Sequence, residues 1–263
     1  MNEQRLPVLI SIPHGGTVVP EEVQGFFRLG KQEVLRDGDT WTREIFDYKE
    51  KVIALVDTEV PRVVIDLNRG KEDLPPENFD GVVKTKSVFL NPVWENPLGL
   101  DEEQQQGLMR KYYDPYYQRI FNALDNPGIK LGIDCHSMLP KDPFDERAEK
   151  RPLFCISNRG DHKGKGVKKS LSAPPEILWA FKERLEREFG KGSVAMNTPF
   201  KGGYITGYFG MKKGVPWIQL EVNRSLYLPP KGYITSTPQG ESRKRVQILS
   251  ERIFNGIKGL KLE

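Results

Sequence analysis

Several short apolar runs in this chain stop abruptly at polar residues, and no other feature restricts the fold as much. In Leu131-Gly-Ile-Asp-Cys-His136-Ser-Met, the residues Ile129, Leu131 and Ile133 lead straight into a polar cluster, as a buried strand does when it ends at a site. Asp134 and His136 are two apart, so in an extended chain they share a face, where a carboxylate can fix an imidazole's tautomer for metal binding or proton transfer. Val8-Leu-Ile-Ser-Ile12 repeats the pattern: Pro13 closes a strand covered on both faces, His14 sits at its tip, and Gly15 and Gly16 let the backbone turn tightly. Of three histidines (His14, His136, His162), two follow an apolar run in this way, while His162 lies in a turn-rich, solvent-exposed stretch.

Three further runs read as strands. They are Val52-Ile-Ala-Leu-Val56, Leu153-Phe-Cys-Ile-Ser157 and the segment from Val215 to Tyr227, which carries Glu221 among apolar neighbours. A carboxylate placed there is costly unless a positive group or hydrogen bonds meet it, which points to a site role. Arg62-Val-Val-Ile-Asp-Leu-Asn-Arg69 is expected to be another strand, ending in Asp66, Asn68 and Arg69. Arg and Asn there suit an acidic substrate, the one with a planar fork and the other with a directional amide. If residues 62 to 68 form one straight strand at about 3.3 Å per residue, Arg62 lies roughly 20 Å from Asn68. Both can serve one site only if the chain bends between them.

Helical spacing separates these runs. Asp39 or Thr40 is expected to cap a helix carrying Trp41, Ile45 and Tyr48 on one side. Asp101 caps a pattern through Leu108, Tyr112, Tyr116, Ile120 and Leu124, with Pro115 as a kink or break. Pro174 to Phe189 has Leu178, Phe181, Leu185 and Phe189 on one face with Gly190 as a stop, and Val246, Leu249, Ile253 and Ile257 mark a C-terminal helix. Residues 74 to 100, rich in proline and aromatics, are expected to form an ordered irregular excursion that roofs the site. Phe200-Lys-Gly-Gly-Tyr204-Ile-Thr-Gly-Tyr-Phe-Gly210 reads as a pliable loop or hairpin whose tyrosines line a pocket. Strands alternating with helices, and polar residues at strand ends, predict an α/β fold with one active edge.

Composition narrows the function. The 263 residues suit one domain, 1–263, and the formal charge of +4 comes from 40 basic and 36 acidic residues mixed along the chain, too weak a bias for nucleic acid. The lysine-rich stretch Lys163 to Lys169 reads as a solvated loop. No apolar run approaches the roughly 20 residues that span a bilayer, and the first residues lack an apolar signal region. Cys135 and Cys155 lie in strand-like runs as possible neighbours without a disulfide framework. Together these predict a cytoplasmic protein with a small-molecule substrate and no nucleic-acid or membrane partner.

Four strand ends thus supply His14, Asn68 with Arg69, His136 and Glu221. Two neutral imidazoles and a carboxylate are the usual protein ligands of a hydrolytic zinc site, with Asp39 or Asp37 as the carboxylate. The same ligands also accept iron, cobalt or nickel. A serine or cysteine hydrolase ranks lower, because Ser137 and Cys135 flank His136 on a strand and point to the opposite face, and no Gly-x-Ser-x-Gly elbow is present.

Ser11-Ile-Pro-His-Gly-Gly, Asp37-Gly-Asp, Arg62-Val-Val-Ile-Asp-Leu-Asn-Arg69, Asp134-Cys-His-Ser, Phe200-Lys-Gly-Gly-Tyr-Ile-Thr and Gln219-Leu-Glu221 together resemble the N-formylglutamate amidohydrolases, from about residue 8 to 228. That family is similar to zinc carboxypeptidases and aspartoacylase. The resemblance implies a three-layer α/β/α fold with a mixed central sheet and one catalytic zinc held by His14, Asp39 and His136. It further implies Glu221 as general base, Arg62 at the oxyanion, and Asn68 and Arg69 on a substrate carboxylate, with Tyr204 and Arg224 completing the substrate-binding set. The implied reaction is hydrolysis of an N-acyl amino acid such as N-formylglutamate. The alternatives are a metallopeptidase acting on short or cell-wall peptides and a non-catalytic binding homologue.

Overall fold

In the computed structural model, residues 4–145, 147–166, 170–212, 214–229 and 232–262 are described. The lysine stretch falls partly outside them, at 167–169. In chain order the elements are β1 (Leu6–Ile12), α1 (Glu21–Gln24), α2 (Lys31–Asp37), α3 (Thr42–Ile45), β2 (Val52–Asp57), α4 (Glu102–Leu108), a π-helical turn (Met109–Tyr113), α5 (Asp114–Leu124), β3 (Leu131–Met138), β4 (Phe154–Ser157), α6 (Pro175–Phe189), β5 (Val194–Met196), α7 (Tyr204–Lys212), β6 (Trp217–Asn223), a 3-10 turn (Arg224–Leu226) and α8 (Gly240–Lys258).

The six strands form one sheet in the order β2-β1-β3-β6-β4-β5. The first four are mutually parallel, while β4 pairs antiparallel with β6 and parallel with β5, so the sheet is mixed. Side chains alternate across it. Val8, Ile10, Leu131, Ile133, Ile218 and Leu220 enter one core with α6 and α8, and Leu9 and Trp217 enter a second core with α5 and α7 on the opposite face. These are the expected three layers.

On the second face the pattern changes along the strands. Toward their C-terminal ends the positions after Leu9 and Trp217 become Ser11, Asp134, His136, Gln219 and Glu221 rather than apolar residues. The register puts His136 directly opposite Glu221, and Glu221 opposite Cys155. Cys135 pairs with Leu220 and joins the first core, so it faces away from Cys155, and both cysteines are free thiols. The expectation that they are neighbours fails because an odd shift along a strand changes face.

Three segments differ from their sequence reading. Residues 62 to 69 are turns, not a strand, although Val63, Val64, Ile65 and Leu67 are fully buried. Their N–H groups find local or loop partners instead: Val64 N bonds Pro61 O at 2.9 Å and Asp66 N bonds Val82 O at 2.7 Å. Burial of an apolar run requires satisfied backbone groups, not a ladder. Of the segment expected to be a glycine-aromatic loop, 200–203 are irregular as expected, but Tyr204 onward is helix α7, where Tyr204 and Tyr208 stack at 5.4 Å and Phe209 packs on Trp217 at 5.2 Å. The helix expected to run from residue 41 to 48 is only α3, and Trp41 precedes it in the left-handed region at φ 62, with no side-chain cap. By contrast Asp101 caps α4 through Gln104 N at 2.8 Å, and Gly190 ends α6 at φ 97.

Candidate active site

His14 follows β1 directly. Neither Gly15 nor Gly16 has positive φ. A Cβ on Gly16 would lie 2.3 Å from the carbonyl carbon of Glu59 and from the Val60 oxygen, so the turn needs glycine for close approach rather than for its conformation. The His14 carbonyl accepts the Asp39 N–H at 3.0 Å, tying two site residues together through their backbones.

Asp39 does not cap α3 with its side chain. Its carbonyl accepts from Thr42 N at 3.1 Å and from Thr42 Oγ1 at 2.7 Å, which leaves the carboxylate free. Asp39 Oδ2 lies 3.0 Å from His136 Nδ1 and 3.5 Å from His14 Nδ1, and the two Nδ1 atoms are 3.1 Å apart. Asp37, the other candidate, gives one oxygen to the Val88 N–H at 2.6 Å and does not line the cavity that holds the two imidazoles.

Each ring's second nitrogen meets a buried carboxylate. His14 Nε2 is 2.7 Å from Asp66 Oδ1, and His136 Nε2 is 2.9 Å from Asp134 Oδ2. Ionised carboxylates only accept, so this network assigns both ring protons to Nε2 and turns both Nδ1 lone pairs toward Asp39. Three acceptors then converge within 3.0 to 3.5 Å of one another. Ligands about 2.0–2.1 Å from a tetrahedral zinc stand about 3.3 Å apart, so this donor set fits a divalent cation. Without a cation, the same charges favour a proton on the site. Burial opposes charge on His136, but Asp134 and then Asp39 outweigh it and hold the imidazole well above its ordinary pKa. Burial likewise opposes ionisation of Asp39, yet His136 and His14 keep its carboxyl well below the usual carboxylate range.

The supporting carboxylates are themselves held. Asp134 accepts from Ser11 Oγ at 2.8 Å, and Ser11 bonds Tyr116 Oη at 2.9 Å. Asp66 accepts from Arg62 Nη2 at 3.0 Å and from Asn68 N at 3.0 Å, and the Lys84 ammonium is 3.2 Å away. Despite burial, His14, Lys84 and Arg62 keep Asp66 ionised well below its ordinary pKa. The bend at residues 62 to 69 is what brings Arg62, Asp66 and Asn68 onto one wall.

Glu221 stands beside His136 on β6, 7% exposed, and burial pushes its carboxyl up to about 7. Its Oε1 accepts from Gln219 Nε2 at 2.8 Å. The cavity these residues enclose is about 280 Å³ and is also lined by Arg62, Asn68, Arg69, Ser137 and the turn from Phe200 to Gly203. Asn68 Oδ1 accepts from Ile205 N at 2.8 Å, which turns its amide nitrogen toward His136. Arg69 reaches the cavity while its guanidinium binds Asp80.

Two expected substrate-binding residues lie elsewhere. Tyr204 is absent from the cavity lining; its ring stacks on Tyr208 and covers Gly70. Arg224 is buried behind the wall, donating to Ser137 Oγ at 3.0 Å, Arg36 O at 2.8 Å and Gly38 O at 2.6 Å, with Asp39 Oδ1 3.3 Å away. It clamps the loop that carries Asp39 instead of facing a ligand. A larger groove of about 540 Å³ borders Arg224, but among the described residues no carboxylate or imidazole lines it.

Sequence reasoning missed Lys84 and the bond from Gln219 to Glu221. Period-two spacing on β6 could have revealed Gln219, since it shares a face with Glu221. Lys84 gave only a weak signal, a lone ammonium following Val82 and Val83.

The sequence model described as FGase, N-formylglutamate amidohydrolase, matches residues 6–228. An N-formylglutamate deformylase of Pseudomonas aeruginosa is 27% identical over 234 residues, 85% of this chain and 83% of the relative. One from Pseudomonas putida is 28% identical over 240 residues, 86% and 84% of the two chains. A crystal structure of N-formylglutamate amidohydrolase from Ralstonia eutropha JMP134 superposes with a TM-score of 0.72 at 19% identity, covering 95% of this chain and 92% of that one, a likeness of fold.

Proposed function

Because the chain belongs to the N-formylglutamate amidohydrolase family, we propose that it is a zinc-dependent amidohydrolase that cleaves the amide of an N-acyl amino acid, with N-formylglutamate as the first substrate to test. The observation that carries this reading is the convergence of His14, Asp39 and His136 on a cavity that also holds Glu221, Arg62 and Asn68. A cavity of about 280 Å³ is at the small end of ligand pockets, which favours a single acylated amino acid over a peptide.

His14, Asp39 and His136 would hold the cation through the two Nδ1 atoms and Oδ2. When bound, the cation supplies Lewis acidity, acidifying water and polarising a carbonyl. Glu221 takes the proton from the attacking water and later delivers it to the leaving amine, a role suited to a carboxylate whose burial raises its pKa toward neutrality. Arg62, held charged beside Asp66, aims a guanidinium at the developing oxyanion. Asn68 and Arg69 bind the substrate carboxylate. Tyr204 and Arg224 have no direct part in this scheme. A cytoplasmic setting belongs to the same reading and suits two free thiols. Among the described residues no helix is long and apolar enough to cross a membrane.

The test is formate release from N-formylglutamate by the purified protein before and after chelation, with elemental analysis. About one zinc per chain, activity lost on chelation and restored by zinc, and a drop of roughly 10²–10⁴-fold in Glu221→Gln are expected. A metal-free active protein, or full turnover in that variant, would overturn the proposal.

A further inference from the structure

We propose that Gln219 is the positioning residue for the base: its side-chain amide, locked by the Gly203 N–H, pins one oxygen of Glu221 and leaves the other to meet the water. The inference rests on Glu221 acting as the base.

The locking begins on β4. The Phe200 carbonyl accepts from Ser157 Oγ at 2.6 Å and from Cys155 Sγ at 3.4 Å, both on strand positions facing the site. The Lys201 carbonyl then accepts from Arg159 N at 2.8 Å, and Arg159 Nη1 reaches the Gly203 carbonyl at 3.3 Å. These contacts fix the turn before α7 from both sides. A side chain at Gly203 would displace Asn68, because its Cβ would lie 2.2 Å from Asn68 Nδ2.

So held, Gly203 directs its N–H at Gln219 Oε1, 2.6 Å away. That bond decides which end of the amide faces where. With its oxygen engaged by an N–H, Gln219 must present its NH₂ to Glu221, and it does so at 2.8 Å. The flipped amide would set two N–H donors against each other and two oxygens together. Among the described residues this is the one hydrogen bond made by the Glu221 carboxylate, and it goes to Oε1, so Oε2 has no hydrogen-bond partner in the protein while Glu221 lines the cavity. Gln219 and Glu221 are 4% and 7% exposed, so water does not compete freely for the bond. A carboxylate whose free rotation is stopped this way is already aligned for proton transfer.

The test compares Gln219→Met, Glu221→Asp and their combination, each checked for zinc content and melting temperature. In Gln219→Met, kcat should fall by about tenfold to a hundredfold with KM nearly unchanged, since misplacing a reacting group by about 1 Å costs about 10². In the shorter Glu221→Asp background, where the pinned geometry is already lost, adding Gln219→Met should cost less than about twofold more, the non-additivity of residues acting as a unit. A measurement independent of turnover uses the metal-free protein: the Gln219 side-chain NH₂ signals in a ¹H–¹⁵N spectrum should shift on Glu221→Gln. Unchanged kcat in a well-folded Gln219→Met, multiplicative losses in the double variant, or an NH₂ signal indifferent to Glu221→Gln would each overturn the inference. Full activity in Glu221→Gln would instead remove the base reading beneath it, so the two failures are told apart.

Discussion

The Nδ1 atoms of His14 and His136 face each other at 3.1 Å, although each ring is already hydrogen-bonded through Nε2 to its own buried aspartate. Two lone pairs so close, with Asp39 Oδ2 at 3.0 Å from one of them, are stable only around a positive charge. Asp134 and Asp39 hold His136 well above its ordinary pKa, so a proton there can supply it in metal-free protein, and the same position suits a divalent cation.

Metal binding is therefore expected to expel a proton. Calorimetric titration of the chelated protein with zinc near pH 7, in buffers of different ionisation enthalpy, should give one site per chain and a net release of protons. At free zinc a thousandfold above Kd, stabilisation of about 4 kcal/mol should appear as a raised melting temperature.

Asp66 and Asp134 would not ligate the metal themselves, but they orient the rings that would. Asp66→Asn or Asp134→Asn should weaken zinc binding by about 10–100-fold, read by competition with a chromogenic chelator. Affinity equal to that of the parent protein would refute the tautomer assignment.

Glu221 gives a pH prediction with a definite sign. Burial raises its folded pKa from the ordinary 4.5 to about 7, so the buried acid favours folding below pH 4.5, and that contribution is lost as pH rises through about 7. Glu221→Gln should therefore stabilise the metal-free protein at pH 8, by about 1–3 kcal/mol, and change it little at pH 4. Urea unfolding at the two pH values measures this. In the zinc-loaded enzyme, the base requirement should give kcat/KM an acid limb that Glu221→Gln abolishes.

Asp66 and Asp80 have the opposite sign. Burial opposes their ionisation, but it is outweighed by His14, Lys84 and Arg62 at Asp66, and by Lys84 and Arg62 at Asp80, so both folded pKa values are depressed. Their stabilisation is complete above the ordinary carboxylate pKa and disappears as pH falls through the folded values. Lys84→Met should flatten the acid side of the stability curve of the chelated protein.

Arg224 holds two backbone carbonyls, Ser137 and the rear of Asp39. Arg224→Met should destabilise the fold by about 3–5 kcal/mol, because it strands buried acceptors and a carboxylate. Zinc affinity should fall with it, while KM for substrate in the residual loaded enzyme should change little, since the guanidinium does not face the cavity. A selective rise in KM would restore its expected substrate role.

The sequence by itself determined the layered α/β plan and put His14, His136 and Glu221 at one edge, because parallel strands that end in polar residues deliver them to the same side of a sheet. Strand periodicity also paired Asp134 with His136. The family resemblance already favoured Asp39 over Asp37, and the tertiary structure adds what lies at their tips: the Val88 amide for Asp37, two imidazoles for Asp39. Tertiary structure also turned the apolar run at 62 to 69 into a bend, made a helix of 204 to 212, and moved Arg224 behind the wall. Local pattern records which face is buried and how the backbone prefers to run. The partner that satisfies a buried polar group is far away in the chain, as Val82 O is for Asp66 N and Gly38 O is for Arg224, and only folding brings it there.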